Sequence, residues 1–181
     1  MALKETPSQT AGPYVHIGCL PRTAGLAPGA LGPELGGVMV QEGDARMSLE
    51  ITVLDGAGDC VKDALIEIWQ AGPDGRYAPT AGFRNWGRQA TDLATGVARF
   101  ETLKPGLNGP QAPHILVWIA ARGINLALAT RIYFPDTDNS SDAIFALAGA
   151  RASTLVATET ATGYAHTIRL QGENETVFFD I

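Results

Sequence analysis

The stretch APHILVWIAARGINLALATRIYF, residues 112–134, decides the fold. It holds two strongly β-like runs, HILVWIAA and LALATRIYF, joined by the short link RGIN, so it reads as two strands in succession. Upstream, MSLEITVLD (47–55) alternates as a strand does. CVKDALIEIWQ (60–70) reads as a short strand, a break near Asp63 and a second strand through Trp69. In AGPDGRY (71–77) the trio Pro73-Asp74-Gly75 is suited to a tight reversal. APTAGFRNWGRQATDLATG (78–96) reads as irregular, and VARFETL (97–103) as the next strand. Downstream, SDAIFALAGA (141–150) is the one plausible short helix, with Ser141 or Asp142 near its N-cap. YAHTIRLQ and TVFFDI close the chain as strands, expected to form a hairpin across GENE.

About seven or eight short strands between Gly/Pro turns, with no long amphipathic helix, predict an all-β fold. The expected form is a β-sandwich of mainly antiparallel strands, with an extended N-terminal arm and one short helix. The 181 residues fit one sandwich domain over 38–181. Residues 1–37 are rich in turn formers and read as an arm packing on a partner subunit. Within the arm, YVHIG (14–18) carries apolar groups that ask to be buried.

Composition excludes several classes of function. A net charge of −6 with only 18% charged residues leaves no basic cluster for nucleic acid. No apolar run reaches membrane-spanning length, and MALKETPSQTAGP lacks the apolar centre of a signal peptide, so a soluble, cytoplasmic protein is expected. The two cysteines, Cys19 and Cys60, have no metal-ligand spacing and read as free thiols.

The candidate chemistry is incomplete. The three histidines, His16, His114 and His166, form none of the short-range pairs typical of zinc sites. On a strand, residues i and i+2 share a face, so His-x-His is the simplest chelate a sheet offers. Here the second position of that pair is Leu116, and the chelate is broken. No nucleophile elbow and no phosphate-binding loop occurs.

Several stretches together resemble a known family. ETPSQTAGPYVHIG, ALIEIWQAGPDGRY, GFRNWGRQATD, FETLKPG, APHILVWIAARGIN, TRIYFPD and IRLQGENETVFFDI are similar, in order, to the intradiol ring-cleavage dioxygenases. TPSQTAGPY, ARGIN and GENETVFFD resemble the α chains of the two-chain members that cleave protocatechuate. The resemblance implies a β-sandwich paired with a β subunit in a higher-order hetero-oligomer. It also implies a non-haem Fe(III) in the β partner, held by two tyrosines and two histidines. Carried onto this chain, the first tyrosine and first histidine fall on Tyr77 and His114; the second of each fall on Leu107 and Leu116. Gln111 stands where the β chain has an arginine that serves catalysis. The resemblance therefore implies no catalytic residue and no metal in this chain alone. Thr10, Ala11, Gly12, Pro13, Tyr14 and Arg122 would instead line the substrate cavity above the partner's iron. The implied reaction joins both atoms of O₂ to protocatechuate and opens the ring between its hydroxylated carbons, giving 3-carboxy-cis,cis-muconate.

Two other readings stay open on the residues. One is a β-sandwich binding module using Phe83, Arg84 and Trp86 for a ligand. The other is a self-sufficient iron dioxygenase adding Tyr133 or His166 to Tyr77 and His114.

Overall fold

The computed structural model describes residues 4, 7–21, 23–26, 36–43 and 45–180. Eight strands are present among them: β1 (Met47–Leu54), β2 (Leu65–Gln70), β3 (Trp86–Ala90), β4 (Val97–Thr102), β5 (His114–Ala120), β6 (Leu128–Tyr133), β7 (Thr158–Thr160) and β8 (Gly163–Arg169). They form two four-stranded sheets, ordered β4-β1-β8-β7 and β3-β2-β5-β6. The ladders are antiparallel, with β1 and β8 as the one parallel pair.

Alternation explains how the sheets meet. Met47, Leu49, Ile51 and Val53 of β1 point inward while the residues between them stay half-buried. Ile66 and Ile68 of β2 and Ile115, Val117 and Ile119 of β5 face them from the second sheet, in one continuous core. Each such side chain stabilises the fold by about 1.5–3 kcal/mol through burial.

The two outer faces differ. That of the first sheet is polar and carries ion pairs, Arg99 with Glu50 and Arg46 with Glu101. On the second sheet the β6 end is covered by α2 (Ala143–Leu147), a 3-10 segment (Gly149–Leu155) and the C-terminal tail. These build a small second core on Tyr133, Leu155 and Val177, with Phe145 and Phe179 packed against it. Asp142 caps α2, its carboxylate accepting from the backbone N–H of Ile144 and Phe145. Over β3, β2 and β5 the face leaves Trp69 and Trp118 about half exposed, while Leu65 at its other end is buried and Arg88 donates to the Cys19 carbonyl of the arm at 3.4 Å.

Three local expectations are corrected. First, β3 lies inside the stretch read as irregular. WGRQA offers no inward apolar alternation, because inward-facing Gly87 leaves room for Met39; pairing with β2 makes it a strand. Second, the C-terminal residues turn where GENE was expected to turn, but TVFFDI forms no ladder. Its groups bond to β6 singly, Phe179 N–H to the Ala129 carbonyl at 2.8 Å and the Thr130 hydroxyl to the Val177 carbonyl at 2.7 Å. Third, the arm is not wholly extended. Pro13–Cys19 form α1, with Pro13 suited to a first helical position. No residue of α1 is buried, so YVHIG is not the arm's anchor; Leu20, fully buried, is. Residues 27–35 of the arm lie outside the described residues.

Candidate functional site

Two groups of candidate residues form, one at each end of β5. At its start stands His114, which shares the outer face with Leu116 and Trp118. The turn after β2 closes through Gly72 and Gly75, and Gly75 adopts φ +78°, where a side chain would run into the Leu107 carbonyl. That close approach of the 72–76 turn to the 104–109 loop sets Tyr77 edge-on against Trp69, with ring centroids 5.4 Å apart.

The Tyr77–His114 geometry fixes a proton arrangement. His114 Nδ1–H donates to the Ala112 carbonyl at 2.7 Å, which leaves Nε2 as the ring's lone-pair nitrogen. The Tyr77 hydroxyl lies 3.3 Å from Nε2 and donates to it. Burial lowers the His114 pKa, so the ring is neutral near pH 7. Burial raises the Tyr77 pKa, against the opposing field of Arg131. Both groups are thus uncharged and bonded to each other.

Around this pair lies a network that the sequence reading missed. Arg131, opposite Leu116 in the β5–β6 ladder, donates to Gln111 Oε1 at 2.8 Å and lies 4.0 Å from Asp142 Oδ2. Asp142 is fully buried and also accepts from Ala112 N–H at 3.0 Å. Tyr133 pairs with His114 across the ladder, and burial pushes its pKa up to about 12. The signal was available: alternation in TRIYF puts Arg131 and Tyr133 on one face, beside the broken His-x-His.

These residues do not fit Fe(III). A hard trivalent cation needs anionic or imidazole donors. Here the one free imidazole lone pair already accepts from Tyr77, Leu116 supplies no donor, and Leu107 is 66% exposed on its loop. A guanidinium, Arg131, supplies the positive charge instead. His166, weighed as a further ligand, belongs to the other sheet. Phe83 is a core residue and Trp86 points outward, so the GFRNWG loop does not present both to one ligand.

At the far end of β5 the arm returns. The Thr10 hydroxyl accepts from Gly123 N–H at 2.7 Å. Ala11, Gly12, Pro13 and Arg122 then line one cleft of about 1020 Å³. Arg122 is ion-paired with Asp63, a partner the sequence reading did not name, and its side chain stays 72% exposed. Tyr14 projects from this end, 84% exposed. Five of the six residues expected to line a cavity are therefore brought together, and Tyr14 stands beside them facing outward. The seven residues of β5 separate this cluster from His114 by roughly 20 Å at about 3.3 Å per residue.

This mainly antiparallel two-sheet sandwich is the fold of solved intradiol dioxygenase chains. The dioxygenase domain of a dioxygenase carbohydrate-binding protein fusion from Streptomyces sp. SirexAA-E superposes with TM-score 0.58 at 26% identity, covering 76% of this chain and 85% of its own. An intradiol ring-cleavage dioxygenase from Tetranychus urticae, at 17% identity, shares the fold with TM-score 0.59 over 83% of this chain and 96% of its own. No family model matches the chain. Among curated proteins it is 39% identical to the protocatechuate 3,4-dioxygenase alpha chain of Pseudomonas putida, covering 98% of this chain and 97% of that one. It is 36% identical to the alpha chain of Burkholderia cepacia, over 99% and 98%. The beta chain of Burkholderia cepacia matches at 38% identity over 46% of this chain and 42% of its own. The chain belongs to the family of protocatechuate 3,4-dioxygenase alpha chains.

Proposed function

We propose that this chain is the half of a two-chain protocatechuate dioxygenase that holds no iron, and that it completes a substrate cavity whose Fe(III) sits in a beta partner. The observation that carries this reading is the Tyr77–His114 pair. Its two donors are neutral and spent on each other, beside leucine at one missing position and Arg131 across the ladder. The iron, when bound in the partner, would activate the catechol toward O₂.

This chain's contribution would come from the other end of β5. Gly12 and Pro13 let backbone approach a ligand closely, and Tyr14 offers an apolar ring with a hydroxyl at its tip. The Arg122 guanidinium, held by Asp63 beside the arm, would draw in and orient an anionic aromatic acid without taking part in bond cleavage. The separation of this end from His114 supports the division: the arm is placed to serve a neighbour's site rather than the tyrosine–histidine pair of its own chain.

The test is iron content and protocatechuate turnover of this chain, purified alone and after co-expression with a beta chain. Iron and turnover are expected only in the pair. Removing residues 1–14 should then cut turnover of the pair while its iron content stays near normal. Iron and activity in the lone chain, or loss of iron on truncation, would overturn the division of labour.

A further inference from the structure

Two separate parts of the chain hold Arg122, one at each end of the residue. The β2–β5 register sets Leu65 opposite Ala120; carried two residues further, it sets Asp63 opposite Arg122, where the two form their ion pair. That pair engages Nε, so the two terminal nitrogens keep their N–H donors for a planar carboxylate. The backbone end is held by the arm. Residues 121–124 close a turn, Ile124 N–H donating to the Ala121 carbonyl at 3.2 Å, with Arg122 and Gly123 at its tip. Gly123 adopts φ +84°, as the third residue of a type II turn does. Its N–H points out of the turn and donates to the Thr10 hydroxyl at 2.7 Å. Thr10 spends its own proton within the arm, on the Ala11 carbonyl at 3.4 Å. Among the described residues nothing else braces the tip, since a side chain at Gly123 would meet no atom within 4 Å.

We propose that Thr10 is a positioning residue for Arg122, and that through it the arm sets the preference of the shared cavity for catechols carrying a carboxylate. This rests on the cavity role given to Arg122 above and adds the residue that fixes it in place. A glycine at a turn tip has wider backbone freedom than any other residue, so without the bond to Thr10 several positions of the tip are open. Arg122, with its side chain 72% exposed, would then be held at the guanidinium end alone. Fixing both ends ahead of binding removes an ordering cost that the ligand would otherwise meet. Thr10 needs no contact with the ligand to do this, because both of its hydrogen bonds stay within this chain. The arm thus acts on the ligand's carboxylate through this chain's own arginine, and its loss should be felt by carboxylated ligands above all.

The test is anaerobic binding to the co-expressed pair, where no turnover intervenes, of protocatechuate and of catechol, which lacks the carboxylate. Thr10→Val keeps the shape of the side chain and removes its hydroxyl. It should weaken protocatechuate binding by about three- to tenfold, the worth of one hydrogen bond, and leave catechol within about twofold. Thr10→Ser should recover most of that loss. In a pair already carrying Arg122→Ala, which lacks the group being positioned, Thr10→Val should cost protocatechuate nothing more. Equal weakening of both ligands would mean that the arm meets the ring itself. Additive losses in the double variant would mean that Thr10 acts apart from Arg122. Either result, or protocatechuate binding unchanged by Thr10→Val, would overturn the proposal and leave the two-chain reading standing. If Arg122→Ala binds protocatechuate as wild type does, the cavity role of Arg122 falls, and the proposal with it.

Discussion

Acidification should unfold this chain early, and His166 is the reason. It lies on β8, paired with Ile51 of β1 and 5% exposed, and its Nε2 has no hydrogen-bond partner. Burial pushes its pKa down to about 4, with the Val156 carbonyl pulling weakly the other way. In the unfolded chain the same ring titrates near 6.5. Between those values the unfolded state takes up a proton that the folded state refuses. The stability His166 permits is therefore complete above about pH 6.5 and is lost as pH falls toward about 4. At about 1.4 kcal/mol per pH unit the full loss is about 3 kcal/mol, of which about 2 kcal/mol has gone by about pH 5. That is a large part of the roughly 5–15 kcal/mol that stabilises a typical domain. His114, also lowered by burial, adds to the loss in the same direction. The carboxylates of Asp92, Asp136 and Asp138 are lowered from 3.8, so their contribution disappears only at more acid pH. Urea unfolding at about pH 7.5 and about pH 5 should show wild type losing about 2 kcal/mol more than His166→Leu, which removes both the titrating ring and the unpaired nitrogen. Parallel losses in the two proteins would refute the argument, as would an NMR titration placing His166 near 6.5.

Two further predictions concern the His114 cluster. Leu107→Tyr with Leu116→His returns two donors to the outer face, and adding Arg131→Gln removes the opposing guanidinium. The triple variant should take up Fe(III), seen by metal analysis and a visible iron–tyrosinate band, whereas neither leucine substitution alone should. A colourless, iron-free triple variant would show that donor count does not decide occupancy here. Asp142→Ala removes the α2 cap, the acceptor for Ala112 N–H and the carboxylate nearest Arg131, so about 3–5 kcal/mol should be lost in chemical denaturation. A loss under about 1 kcal/mol would mean that Arg131 is satisfied by Gln111 without it.

The strands most legible in the sequence are those whose inner faces carry unbroken apolar alternation. β1 and β5 come directly from such runs, because period-two burial is itself what makes them strands; β6 has Thr130 on its inner face and was legible from its β-branched and aromatic residues. β3 was not legible: its inward position is a glycine, and its existence depends on β2 lying alongside. The tail failed for the opposite reason. TVFFDI has strand composition, but Val177 and Phe179 serve the small second core under α2, and tertiary packing overrode propensity. At the site, the broken His-x-His was visible from spacing alone. What filled the gap was not, because Arg131, Gln111 and Asp142 meet only when β6 and α2 are placed beside β5. Arg122 and the arm were named through resemblance, and their convergence with Asp63 needed the fold.

The parallel pairing of β1 with β8 has a consequence for biosynthesis. β1 emerges from the ribosome before the other described strands, yet one of its two neighbours is β8, so the first sheet closes only after every strand of the second has been made. The second sheet runs from Leu65 to Tyr133 and has all its members much earlier. Its inner apolar face, with Ile66, Ile68, Ile115, Val117 and Ile119, is thus displayed on a nascent chain whose other layer is unfinished, the condition under which exposed apolar sheets aggregate. The yield of soluble chain should then depend on how quickly β7 and β8 follow the second sheet out of the ribosome.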